Sequence, residues 1–203
     1  GADTEIEIPI EVTAENGVVT EAVTVEQDGV SVTVPAGTKL AAGATALTLT
    51  VTPKETSDTG IELEKNEVLM PMDVHVEGLS PENTAPLTIY LGKVMPENLN
   101  MGNYRIYHVE ADGTHEMELV ANDEEFTKHN QYKYTLDGEL TLYMATFSEV
   151  AVVAEPAKWE GGVDHSWYIG KTAPYTIANA DQLWSFSQIV GGMAKDENGN
   201  FLI

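Results

Sequence analysis

Between Val30 and Pro53 the chain alternates almost without exception. Ser31 and Thr33 separate Val30, Val32 and Val34, and Thr48 and Thr50 separate Leu47, Leu49 and Val51. Apolar side chains that recur every second residue reach one surface only on a pleated strand, because a helix would distribute them around its axis. The intervening hydroxyl residues suit a water-facing side, and β-branched residues favour the extended backbone. Pro35 and Gly37 end the first run and Pro53 ends the second, since proline donates nothing to a ladder and glycine punctuates strands. The stretch predicts the central hairpin of a β-sandwich.

The same period continues on both sides. Ile6, Ile8, Ile10 and Val12 form a first strand, and Pro9 assigns it to a sheet edge. Asn16-Gly17, Asp28-Gly29, Asp112-Gly113 and Asp137-Gly138 are tight-turn signals, because these residues tolerate positive φ. Strands are expected at Val18–Glu26, Met70–Val76, Leu87–Leu91, Tyr104–Glu110, His115–Val120, Tyr132–Leu136, Leu140–Met144 and Val150–Ala154, with a polar loop over 54–67. Many short strands and no helix before residue 175 predict an all-β, antiparallel sandwich over residues 1–155.

Composition changes at Glu155-Pro156, beyond which lie all three tryptophans, Trp159, Trp167 and Trp184. Residues 156–166 read as a linker, with Glu160-Gly161-Gly162 as a flexible joint. Residues 167–203 read as a fragment of a following domain with a single α-helix. Asn179 and Gln182 make a capping-box pair at its start, Leu183, Phe186, Ile189 and Val190 share one face, and Gly191-Gly192 stops it. Gly1 reads as a cloning remnant and Phe201-Leu202-Ile203 as the start of a strand, so the natural protein is expected to continue.

Charge narrows the partners. Ten Lys and Arg against 33 Asp and Glu leave −23, a field that repels phosphate backbones and anionic bilayers and so excludes nucleic-acid binding. With no cysteine, the chain has neither disulfides nor thiolate metal sites. No apolar run approaches the roughly 20 residues of a membrane span.

Two partial resemblances carry further expectations. Val32-Thr33-Val34-Pro35-Ala36-Gly37-Thr38, the Leu47–Pro53 strand and the closing Thr146-Phe147-Ser148-Glu149-Val150 resemble the β-sandwich domain shared by zonula occludens proteins, netrin receptors and ankyrins, over residues 25–154. Bacterial versions occur in multidomain surface proteins, and in some relatives a His-Phe-Ser sequence cleaves its own backbone before the serine. Here the first position is Thr146. Ala173–Ile177, Ala180-Asp181-Gln182-Leu183, Val190-Gly191 and Phe201 are similar to the opening of GLUG-type repeat regions, in which a helix caps a parallel β-helix; the segment would be a truncated cap. Together the resemblances imply a module of a large extracellular bacterial protein.

Each candidate for chemistry meets a plainer reading. Ser148 as a self-cleaving nucleophile needs a strained peptide and a base, and threonine two residues upstream is no base. Asp73, His75 and Glu77 share one strand face, but neighbours two apart stand about 6.6–6.8 Å from each other, which suits a solvated face better than one small ion. His108 and His115 flank a hairpin turn, and two histidines lack a third ligand. Asp196, Asn198 and Asn200 have the first three spacings of a calcium loop, with Gly199 at the wrong position. Tyr104, Tyr107, Tyr132 and Tyr134 suit core packing more than a sugar platform. Trp159 and Trp167, in loops, are the candidate ligand-binding residues. No catalytic, metal or cofactor residues are assigned.

The sequence thus predicts a non-catalytic structural or adhesive module on the bacterial cell surface, contacting host or cell-wall protein or glycan, with no cofactor and no membrane insertion. The alternative is an accessory or carbohydrate-binding region of a secreted carbohydrate-active enzyme whose catalytic part lies beyond Ile203.

Overall fold

The computed structural model describes residues 5–57, 59–64, 67–94, 101–156, 177 and 180–190. The chain divides into two units, residues 1–157 and 158–203.

In chain order the first unit contains β1 (Ile6–Glu11), β2 (Ala14–Glu15), β3 (Val18–Val19), β4 (Val23–Gln27), β5 (Val30–Val34), β6 (Ala46–Pro53), β7 (Val68–Glu77), β8 (Leu87–Lys93), β9 (Met101–Glu110), β10 (Gly113–Glu116), β11 (Glu118–Leu119), β12 (Gln131–Tyr134), β13 (Glu139–Met144) and β14 (Glu149–Pro156). They build two six-stranded sheets, β1-β6-β7-β14-β9-β10 and β11-β12-β13-β8-β5-β4, and β2 and β3 form a small ribbon. Pairing is antiparallel throughout these sheets except for β11, which lies parallel to β12. The sheets pack as a sandwich, as the alternation requires.

The alternating residues meet where expected. Ile8, Ile10, Leu47, Leu49, Val74, Val150 and Val152 of the first sheet are buried in one core with Val32, Val34, Leu87, Ile89, Leu140 and Leu142 of the second. Each such side chain contributes about 1.5–3 kcal/mol of burial free energy. Pro9 sits on the edge strand β1. Asn16-Gly17 turns β2 into β3 and Asp28-Gly29 turns β4 into β5, all four residues at positive φ. Strand β7 acts as a splint, because β6 pairs with its residues 72–77 and β14 with its residues 68–73.

Four expectations are corrected. His115–Val120 is not one strand, because β10 pairs with β9 in the first sheet and β11 with β12 in the second. The Val30–Pro53 stretch is not a hairpin. β5 pairs with β4 and β8 in one sheet, and β6 with β1 and β7 in the other. The intervening residues 35–45 are too many for a tight turn and carry their own ties: Val19 N–H donates to Thr38 O, Gly37 N–H to Val19 O and Ala41 N–H to Gly78 O, with Leu40 buried. Those bonds also divide Val18–Glu26 into β3 and β4. Leu136, expected on a strand beside Tyr132 and Tyr134, lies in the turn between β12 and β13 and is 96% exposed.

In the second unit, α1 spans Ala180–Val190. Leu183, Trp184 and Phe186 are exposed and Ser185 is buried. Asn179, the expected cap, Gly191-Gly192, and the side chains of Ile189 and Val190 lie outside the described residues.

Candidate functional site

Alternation on β9 places Tyr104, Ile106 and His108 on the inner side, and all three are buried. His108 is therefore an imidazole at a position built for an aliphatic side chain. It pairs in register with Val150 on β14. Two residues further along, Glu110 ends β9, and Ser148 immediately precedes β14, in the segment where the chain passes from β13 to β14.

Two loops close that corner. The 121–130 loop is anchored by buried Gln131, whose Oε1 accepts from the N–H groups of Thr127 (2.7 Å) and Lys128 (3.1 Å). It presents His129 and Asn130, the latter at φ 62°. His129 Nδ1 accepts from Ala145 N–H at 2.9 Å. From the other side, buried Asn83 donates Nδ2 to Ala145 O at 3.0 Å. The corner residue Ala145 is thus held through both its backbone groups.

Glu110 is the hub. Its Oε1 accepts from His129 Nε2 at 2.9 Å and Thr146 Oγ1 at 2.9 Å, and its Oε2 accepts from Asn130 Nδ2 at 2.8 Å. Because Ala145 fixes Nδ1 of His129 as an acceptor, the ring proton is on Nε2 and points at Glu110. Burial pushes the Glu110 carboxyl up, but the hydrogen bonds from His129, Thr146 and Asn130 and the nearby His108 outweigh it and hold it at about 2. Burial also pushes the His108 imidazole down, against the opposing pull of Asn130 and Glu110.

His108 joins this hub to Ser148. Its Nε2 lies 2.8 Å from Ser148 Oγ, and its Nδ1 lies 2.7 Å from Asn130 Oδ1 and 3.8 Å from Glu110 Oε1. A histidine therefore does stand beside Ser148, supplied by a neighbouring strand rather than by position 146. Ser148 Oγ also hydrogen-bonds the Val109 carbonyl. A carbonyl only accepts, so a Ser148 hydroxyl that donates to Val109 takes a proton from His108 Nε2, whereas one that donates to His108 Nε2 leaves the imidazole proton on Nδ1, facing Asn130 Oδ1. Only in the first arrangement does His108 present a proton rather than a lone pair to Ser148. The Ser148 carbonyl lies in an ordinary ladder bond with Val74 N–H at 3.0 Å, and neither Phe147 nor Ser148 has positive φ.

The other candidates are placed as follows. Asp73, His75 and Glu77 are all exposed, with Lys54 Nζ 3.6 Å from Asp73. His115 pairs with His108 in register, yet its Nε2 meets Asp112 Oδ1 at 2.7 Å in solvent; the pair holds the Asp112 carboxyl down and the His115 imidazole up. Tyr104 and Tyr132 are core residues, and Tyr132 O–H donates to Tyr104 O at 2.9 Å. Trp159, Trp167, Asp196, Asn198 and Asn200 lie outside the described residues.

His108 and His115 do not share a cluster: His108 lies with Glu110 and His129, and His115 with Glu110 and Asp112. The available signal was parity: His108 continues the buried series of Tyr104 and Ile106. His129 and Asn130 sit in a polar loop that nothing local connects to β9. The comparisons with known proteins returned no matching family model, no matching curated protein and no matching solved structure.

Proposed function

We propose that this chain is a non-catalytic structural or adhesive module carried on the outside of a bacterial cell, where it holds or displays surface for contact with protein or glycan. The observation that supports this most is how its buried polar groups are used. Among the described residues, no buried side-chain nitrogen or oxygen lacks a hydrogen-bond partner. Asn83, Gln131 and Glu110 each bind loops to the sandwich, and the hydroxyl of Ser148 is held at the Val109 carbonyl as well as at His108. Groups arranged this way rigidify loops. Exposed acidic residues such as Asp73 and Glu77 keep the faces hydrated, and the resemblance to surface-protein sandwiches agrees with this role.

Two measurements test the reading. On a denaturing gel the purified chain runs as one band near 22.0 kDa; two fragments meeting at Phe147-Ser148 would instead make Ser148 a nucleophile. On arrays of cell-wall glycans and extracellular matrix proteins the chain binds without turnover. Unaided hydrolysis of any arrayed glycan would overturn the proposal in favour of a carbohydrate-active enzyme.

A further inference from the structure

The outer face of the first sheet brings one lysine between two carboxylates. Glu149 on β14 stands directly opposite Asp73 on β7, and their chain neighbours Val150 and Val74 are in the core, so both acids belong to the face turned away from it. Lys54, just past β6, is fixed to β7 by its own N–H, which donates to Pro71 O at 2.9 Å. Its Nζ lies 2.5 Å from Glu149 Oε2 and 3.6 Å from Asp73 Oδ1. Glu149 keeps only 5% of its side-chain surface in solvent and Lys54 23%. Ser57 Oγ, which accepts from Thr59 N–H at 3.2 Å, donates to Glu149 Oε1.

An ion pair with one member this deeply buried is costly to keep, because attraction offsets the lost hydration incompletely. The same lost hydration makes it cheaper than in water to move a proton from ammonium to carboxylate, which turns the pair into an amine and a carboxylic acid. Those are the reactants of amide formation. They are held on two strands that flank β7, so the entropic cost of bringing them together is already met in the fold. The product replaces two buried charges with one neutral amide.

We propose that Lys54 and Glu149 condense to an intramolecular amide that cross-links the end of β6 to the start of β14. After the first proton transfer, the Nζ lone pair adds to Glu149 Cδ, and the displaced C=O pair moves to Oε1, where the Ser57 hydroxyl stands. The Asp73 carboxylate takes a second proton from Nζ and passes it to Oε2. The C=O bond then re-forms and Oε2 leaves as water, through the exposed Asp73 side. Three ammonium protons end as one amide N–H and two on the water, and Asp73 is regenerated. One cation and one anion are lost together, so the net charge does not change. The bridge closes a loop between residues 95 apart in a chain without cysteine, and ties β6, β7 and β14 covalently.

The test is the intact mass of the purified chain under denaturing conditions, followed by peptide mapping. Wild type is expected one water lighter than its sequence, with a branched peptide joining the Lys54 and Glu149 segments. Lys54→Arg keeps the cation but has no nucleophilic amine, and is expected at full mass with circular dichroism showing the fold retained. Asp73→Asn, at an exposed position, slows the step about a hundredfold, so the freshly purified variant is expected largely at full mass. A wild-type chain at its full sequence mass would overturn the cross-link. So would a one-water deficit that survives Lys54→Arg or is reversed by mild alkali, which marks a succinimide at an Asp-Gly turn instead. Complete cross-linking in Asp73→Asn would overturn the role given to Asp73.

Discussion

Glu110 shows how one side chain can hold three segments that lie far apart in sequence. Its carboxylate accepts from the 121–130 loop and from the β13–β14 corner, and each bond to a charged acceptor is worth about 1.5–3 kcal/mol. The consequence for pH follows from the sign of its shift. Its pKa in the folded chain, about 2, is below the ordinary carboxylate value, so the folded state binds the proton more weakly than the unfolded state. The stabilisation is complete above the unfolded value and is lost as pH falls toward 2. Glu110→Gln should therefore lower stability at neutral pH by about 1–3 kcal/mol and reduce the loss of stability that wild type shows on acidification. Parallel urea titrations at neutral and acidic pH check this, and an equal acid slope in both proteins would assign the loss to other carboxylates.

At the scale of elements, strand positions were legible from alternation and turn residues, whereas strand partners were not. Val30–Val34 and Leu47–Val51 carry identical patterns, and nothing in either indicates that they face each other across the core instead of pairing edge to edge. The division depends on residues 35–45, whose bonds reach β3 and Gly78. The polar corner was hidden for a similar reason: His108, Asn130 and Ser148 meet only after the sheets close, and only the inward parity of His108 could be read beforehand. Gly78 tests the crossover directly. It has φ 86°, and a Cβ there would lie 2.4 Å from Ala46 O, while Gly29 at φ 78° has open space around it. Gly29→Ala should cost about 1–2 kcal/mol from backbone strain alone. Gly78→Ala should add about 1–3 kcal/mol of steric overlap. Equal melting temperatures for the two variants would contradict the close approach of β6 to the end of β7.

For the whole molecule, −23 over 203 residues sets a self-repulsion that the few cations offset only locally, as Lys54 does for buried Glu149 and Arg105 for Glu67. Screening weakens repulsion between exposed charges once the Debye length falls to about 10 Å near 0.1 M salt. The melting temperature should accordingly rise between low salt and about 0.1 M NaCl, and a fall would mean that attractive ion pairs outweigh the net charge.

The account rests most heavily on the corner acting as a tie and not as a reactive centre, and the proton on His108 decides between the two. Long-range ¹H–¹⁵N correlation of the histidine rings at neutral pH reads it directly. The tie requires Nε2 of His108 to carry a proton, donated to Ser148. A bare Nε2 with the proton on Nδ1 alone would make His108 a base poised on the Ser148 hydroxyl and would contradict the account.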